Sequence, residues 1–435
     1  METFVVPAHA SHGEFERAKR SLAGGVDSPV RAGVPMGAPP PVIVSARGSK
    51  VIDVEGREYV DYLCAYGPVL LGHGDPAIRD AIAAAAESGT VFGVTHPEET
   101  RLAERIREHL PSMERLRFVS TGTEACMSAA RAARSYTRRE TIVRFAGDYH
   151  GHADEMIFSA GASSNSAPSI DAGVTRATAS NVLILPYNDV DAVERCLSES
   201  GDRIAALFVE PVCANMGLVL PAPGYLQALR ELTSRAGVLF VFDEVITGFR
   251  LGLGGAQHLY GVRPDLTCIG KTLGGGLPIA AFGGREDVMA RLAPDGPVFQ
   301  GGTFSGNPLC VAAAHAFLDR LERDRGLHDR LDALGSRLAS GARDAIAAAG
   351  LDYPVVQLGS IVDFMFRLGA AHENYDEART ADRGAYARYY WKMLDEGVYL
   401  APSPMEVMFL TAAHTDRDVD ATIAAMRDSL QAGSS

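Results

Sequence analysis

The 435-residue chain is 47% hydrophobic and carries 41 basic against 54 acidic residues, a formal net charge of −13. That length and apolar content exclude a disordered tail or a disulfide-stapled mini-protein and predict at least two substructures; the acidic balance leaves no basic excess to neutralise a phosphate backbone, so no nucleic-acid partner is expected. The six cysteines, at 64, 126, 196, 213, 268 and 310, form no CxxC pair, which predicts reduced thiols in a cytoplasmic protein and no structural zinc.

The first twenty residues, METFVVPAHASHGEFERAKR, lack a basic lead and a sustained apolar stretch, so no signal peptide is expected. The longest apolar runs, such as VLFVFD and IAALFVE, fall far short of the roughly 18 residues a membrane helix needs, so a soluble protein is expected. Residues 1–68 are rich in Gly and Pro before VIVSARGSKVIDVEGREYVDYL, which predicts two strands joined by turns. This is read as an N-terminal segment that contributes to the active site. Over residues 69–313, apolar runs at 116–120, 141–145, 181–185, 204–210, 238–243 and 265–270 alternate with helical stretches such as EACMSAARAARSY, DVDAVERCLSES and PGYLQALRELTSRAG. That alternation predicts an α/β fold, a mainly parallel sheet covered by helices. From residue 314 to 435, amphipathic helices, a strand-like QLGSIVDFMFRL and a closing helix from Asp418 predict a smaller α+β domain.

Ligands of such sheets bind beyond the carboxyl ends of the strands, so the residues just after each run carry the chemistry. Thr121-Gly122-Thr123-Glu124 follows the first run and opens a helix, whose N–H groups and dipole suit a phosphate; a plain strand-to-helix turn is the competing reading. Asp243 and Lys271 end two further runs. A lysine there can form a Schiff base and a carboxylate can hold a pyridinium protonated, which is what pyridoxal phosphate requires; an ordinary ion pair at a sheet edge is the alternative. Gly270-Lys271-Thr272 is no P-loop, because position 265, where that motif needs Gly, is Asp. Tyr149-His150-Gly151-His152 offers an aromatic face for a cofactor ring, against a metal reading of His150 and His152 with Asp154 as third ligand. Gly301–Pro308 is a second loop dense in donors.

Together DEVITGFR around Asp243, IGKTLGGGLP around Lys271 and GGTFSGNP resemble the class III, fold type I pyridoxal-phosphate-dependent aminotransferases, and within them the glutamate-1-semialdehyde 2,1-aminomutase branch. GGVDSPVRA, YHGHAD, LPYND, VEPVCANMG and GVYLAPSPMEVMF extend the likeness over nearly the whole chain. The resemblance implies a seven-stranded large domain, a homodimer with shared active sites, and a cofactor that cycles between pyridoxal and pyridoxamine phosphate. It implies that Lys271 holds the cofactor and shuttles protons, that Asp243 binds the ring nitrogen, and that Val245 and Tyr149 flank the ring. Gly122 and Thr123 would bind the phosphate, with Thr303 reaching it from the neighbouring subunit. Ser28 and Arg31 would meet the substrate carboxylate, beside Asn215 and Glu406. Arg is in any case the natural carboxylate clamp, although a solvated surface arginine is the plain reading of Arg31. The implied reaction moves an amino group within one small molecule, giving 5-aminolevulinate for porphyrin biosynthesis, and needs a lid to retain the diamine.

The departures from that pattern lie at the lid, Gly161–Pro168 with Asp171–Val174, at Tyr66-Gly67-Pro68, at Ser120–Thr123 and at Val407-Met408. Altered pocket lining shifts substrate discrimination by about 1–3 kcal/mol per methylene. An intermolecular aminotransferase is therefore the second expectation, and a non-catalytic scaffold that has kept the fold is the third.

Overall fold

The structure, a computed structural model, describes residues 10–157 and 171–431. Where residues 42–63 mix β-branched and polar side chains between glycine turns, β1 (Ile43–Arg47), β2 (Lys50–Asp53) and β3 (Glu58–Asp61) form an antiparallel meander. The expected two strands are three, because the turn at 54–57 divides the second run.

The central sheet comprises β4 (Arg115–Val119), β5 (Thr141–Phe145), β6 (Val182–Leu185), β7 (Ile204–Val209), β8 (Leu239–Glu244), β9 (Leu266–Ile269) and β10 (Ala280–Gly284). Their order is β4-β10-β9-β8-β7-β5-β6, parallel throughout except that β10 runs antiparallel to both neighbours. Every residue of β5, β7, β8 and β9 is buried, as mainly apolar strands covered on both faces should be, polar Thr141, Arg144 and Thr267 included. β10 was not among the expected runs: Ala-Ala-Phe-Gly-Gly contains no β-branched residue, and its place is set by neighbours rather than by propensity. The helices Gly122–Thr137, Val190–Ser200 and Tyr225–Ala236 fall on the predicted stretches.

The helix Pro308–Arg323 runs across the expected boundary at 313/314 and is followed by Leu327–Ala348. QLGSIVDFMFRL forms a hairpin of β11 (Val355–Leu358) and β12 (Ile361–Phe364). β13 (Val398–Tyr399) pairs in parallel with β3, and β14 (Met408–Phe409) joins β12, before the closing helix Asp416–Gln431. One apolar core joins Met36 and Tyr59 to Leu102, Phe249, Phe317, Tyr390 and Leu410, so the first and last parts of the chain pack together. The carboxyl ends of β4, β5, β7, β8 and β9 deliver residues 120–123, 148–151, 210, 243–246 and 270–271 to one edge, and the site lies there.

Candidate active site

A cavity of about 330 Å³ opens at that edge, lined by Ser120 to Thr123, Tyr149 to Gly151, Glu210, Asn215, Asp243, Val245 and Lys271 among others. The helix Gly122–Thr137 starts at its wall. Thr121 caps it, accepting from the Glu124 N–H at 3.1 Å, while the Glu124 carboxylate accepts from the Ser120 and Thr121 N–H groups at 2.7 and 3.0 Å. The N–H groups of Gly122 and Thr123 belong to the first turn, where no intrahelical acceptor exists. Gly151, at φ +88°, seats the next loop directly on this turn; a Cβ there would stand 2.6 Å from Thr123 Cα and 2.3 Å from its Oγ1.

Asp243, the last residue but one of β8, is almost fully buried, at 4% exposure. Its Oδ2 accepts from His150 Nδ1 at 2.7 Å and from the Cys126 thiol at 3.3 Å, and its Oδ1 from the Val245 N–H at 3.1 Å. His150 Nε2 is 3.7 Å from Asp148 Oδ2 and has no hydrogen-bond partner among the described residues. The line Asp148, His150, Asp243 therefore runs from the interior to the cavity floor. Asp148 itself accepts from the Glu210 N–H and the Cys213 thiol, both at 2.9 Å. Burial pushes the carboxyls of Asp148 and Glu210 above the ordinary range. Buried Arg144 donates to the carbonyls of Asp148, at 2.6 Å, and Met156, fixing both ends of the segment that carries Tyr149 and His150.

Lys271 follows β9 with φ +42°, and its Nζ donates to the Tyr66 carbonyl at 2.7 Å. Burial lowers this amine below the usual lysine range, against the pull of the Glu406, Glu210 and Asp243 carboxylates. Burial also raises Glu406, opposed by Lys271. The Tyr66 carbonyl is aimed by an unusual turn: Cys64, Ala65 and Tyr66 lie successively at φ +45°, +54° and +65°. Three non-glycine residues in the left-handed region cost on the order of 1 kcal/mol each or more. Asp61 Oδ1 holds one end by accepting from the Leu63 and Cys64 N–H groups at 2.9 and 3.0 Å, and Arg250 holds the other by donating to the Gly67 carbonyl at 2.6 Å.

Of the residues singled out in the sequence, Gly122, Thr123, Tyr149, Asn215, Asp243, Val245 and Lys271 line the one cavity. Glu406 acts electrostatically on Lys271 from beside it. Asn215 Nδ2 donates to Glu210 Oε1 at 2.7 Å. Ser28 and Arg31 are not among the lining residues; they sit on short 3₁₀ turns, and Arg31 is exposed, though close enough to Tyr66 for its charge to be felt there. Thr303 is exposed and lines a different concavity of about 460 Å³, with Val91 to His96 and Gly306. The lid segment Gly161–Pro168 lies outside the described residues. Sequence reading passed over Glu210, Asp148, Cys126 and the role of His150; the first follows β7 directly, so its place at a strand end was the available signal. The metal expectation had grouped His150 with His152 and Asp154. The cluster that forms among the described residues is Cys126, His150 and Asp243, in which His150 bonds Asp243 directly.

Pyridoxal phosphate fits this donor set. A carboxylate suits a pyridinium nitrogen, an amine suits the aldehyde carbon, an open helix N-terminus suits the phosphate dianion, and all face one cavity. The sequence pattern of the class III aminotransferases matches residues 34–430. A glutamate-1-semialdehyde 2,1-aminomutase of Desulforapulum autotrophicum is 46% identical over 416 residues, 95% of this chain and 96% of that protein. An omega-transaminase from Sphaerobacter thermophilus superposes with a TM-score of 0.89 at 32% identity, covering 98% of both chains. A glutamate-1-semialdehyde aminomutase from Pseudomonas aeruginosa, solved with pyridoxamine phosphate, gives 0.86 at 27% identity, covering 97% of this chain and 94% of that one. The chain belongs to the class III aminotransferases, pyridoxal-phosphate-dependent enzymes of the type I fold.

Proposed function

We propose that this enzyme is a 2,1-aminomutase that converts glutamate-1-semialdehyde to 5-aminolevulinate. The observation that carries the reading is that Lys271, Asp243 and Asn215 line one cavity, with Glu406 within electrostatic reach of Lys271, in a chain whose near-full-length relatives bear that name. The bound cofactor supplies an electron sink that lets a C–H bond beside nitrogen ionise. Asp243, oriented by His150 and Cys126, keeps a proton on the ring nitrogen. Gly122 and Thr123 bind the phosphate through their N–H groups, and Val245 and Tyr149 flank the ring. Lys271 Nζ holds the cofactor and carries protons; when free, it rests on the Tyr66 carbonyl. Depressed basicity leaves it more often uncharged and so free to take up a proton. Asn215 and Glu406 receive the substrate's amino group, and Ser28 and Arg31 attract its carboxylate from the rim.

The same reading includes a homodimer in which Thr303 reaches the partner's phosphate site. Exposed Val91, Phe92, Val94, Phe299 and Phe304 around that loop support it; a monomer by light scattering refutes it. Six unpaired thiols support a cytoplasmic setting, and among the described residues no helix is long and apolar enough to cross a membrane.

The test is to incubate the pyridoxamine-loaded enzyme with glutamate-1-semialdehyde and no amino donor. Many turnovers of 5-aminolevulinate are expected. One equivalent of the diamine followed by arrest, with the cofactor left in its pyridoxal form, favours the second reading, an intermolecular aminotransferase, for which the 0.89 superposition on an omega-transaminase is the specific support. Lys271→Ala is expected to abolish turnover under either, and retained activity refutes both.

A further inference from the structure

The hairpin that carries Asn215 is held from outside the cavity by two buried side chains. Cys213 and Val219 pair reciprocally across it, each N–H donating to the other's carbonyl at 3.0 Å. This leaves the tip, Ala214 to Leu218, with three backbone groups turned toward the C-terminal region. Each finds a partner there. His372 Nε2 donates to the Met216 carbonyl at 2.7 Å, the Gly217 N–H donates to the Met405 carbonyl at 2.7 Å, and the Leu218 N–H donates to Asp363 Oδ2 at 2.8 Å. Asp363 and His372 are 2% and 5% exposed. They close on Gly217, at φ +80°, so tightly that a Cβ there would stand 2.6 Å from Asp363 Oδ2 and 2.7 Å from His372 Nε2.

Neither side chain reaches the cavity, and a buried acid and imidazole are costly to keep where an apolar pair would serve packing as well. What they grip is the link between the two groups on the amino-binding side. Asn215 stands one residue before the clamped Met216, and Glu406 one residue after the clamping Met405. A shift of the tip would change the separation of Asn215 and Glu406 while leaving Asp243, Gly122 and Thr123 in place.

We infer that Asp363 and His372 are positioning residues that set Asn215 against Glu406, and so fix how the substrate's amino group is bound. The inference deepens the proposed function and rests on it for the identity of the substrate. A loose tip costs substrate binding first, because the cofactor's own contacts are made by other strands.

The test uses the full-length, cofactor-loaded enzyme with Asp363→Leu and His372→Leu, and with Asp363→Asn and His372→Gln, which keep an acceptor and a donor. In the leucine variants, KM for the aldehyde is expected to rise about ten-fold while kcat and the cofactor's absorption change less than about two-fold; the conservative variants stay near wild type. Amide exchange in a peptide spanning residues 213–219 is expected to quicken about ten-fold in Asp363→Leu and not in Asp363→Asn. Faster exchange with unchanged KM overturns the inference, as does an equal loss in the Leu and Asn variants. Should the leucine variants fail to fold, a raised KM in Asp363→Asn or His372→Gln overturns it too. Exchange needs no substrate, so it is read even if the wild type forms no 5-aminolevulinate; KM is then taken with whichever amino acceptor the wild type converts.

Discussion

Arg250 is a buried cation on which three parts of the chain converge, and Arg250→Met measures what it contributes. Its Nη1 donates to Ser360 Oγ at 2.9 Å and the Leu410 carbonyl at 3.2 Å, its Nη2 to the Gly67 carbonyl at 2.6 Å, and its guanidinium lies 4.8 Å from the Phe409 ring centre. Burial drags the guanidinium well below the usual arginine range, to about 10, so holding this charge inside costs about 3 kcal/mol, which methionine would relieve. Against that stand three buried acceptors left without a donor, at about 1–3 kcal/mol each, and a lost cation–π contact of about 1–2 kcal/mol. The orphaned acceptors win, since about 4–11 kcal/mol lost against about 3 kcal/mol relieved leaves a net loss of about 1–8 kcal/mol. In a chain of this length, at about 1.1 °C per kcal/mol, that lowers the thermal midpoint by roughly 1–9 °C, measured by calorimetry on the apoenzyme. Arg250 also depresses Lys271, so the limb on which activity rises with pH should move to higher pH in the variant. An unchanged or higher midpoint refutes the reasoning, since it would mean that relief of desolvation outweighs the three lost bonds.

Three further outcomes are expected. His150→Leu removes a charge-assisted donor to Asp243 worth about 1.5–3 kcal/mol, so pyridoxal phosphate should dissociate about 10–100-fold more readily from the apoenzyme in absorbance titrations; equal affinity would show that Asp243 needs no such support. Gly151→Ala forces a methyl group into Thr123 and should lose cofactor affinity by at least about ten-fold with the fold intact by circular dichroism, so normal affinity would place the phosphate elsewhere. Burial lifts Asp363 from 3.8 to about 7, so its favourable share of stability is full below about pH 4 and is lost as pH rises through 7. Asp363→Asn does not titrate, and its stability relative to wild type should therefore grow by up to about 4 kcal/mol from pH 4 to 8 in urea titrations; a flat difference refutes the burial argument.

Lys271 and Asp243 were legible because each stands at the end of a mainly apolar run, and a parallel sheet places all such ends on one edge. The partner of Asp243 was not. His150 and Asp243 are 93 residues apart and leave β5 and β8, which meet only because β7 lies between them; no local pattern encodes strand order. β10 escaped for the opposite reason, since alanine and glycine carry no strand signal. The turn at 64–66 is likewise invisible, because nothing in Cys-Ala-Tyr announces a left-handed backbone, and only tertiary bonds from Asp61 and Arg250 enforce it. Ser28 and Arg31 were named through family likeness; their short 3₁₀ turns follow from Gly and Pro, but those residues do not dictate where the turns point.

The pairing of β13 with β3 has a consequence for synthesis. Residues 398–399 complete a sheet whose other strands end at Asp61, so a growing chain carries an unfinished edge for some 340 residues, roughly 15–70 s at about 5–20 residues per second. The turn that offers its carbonyl to Lys271 begins just beyond that edge. Nascent chains that already possess Lys271 and Asp243 thus still lack the framework that holds the amine, and competence to retain cofactor arrives only once residues 398–399 have been made.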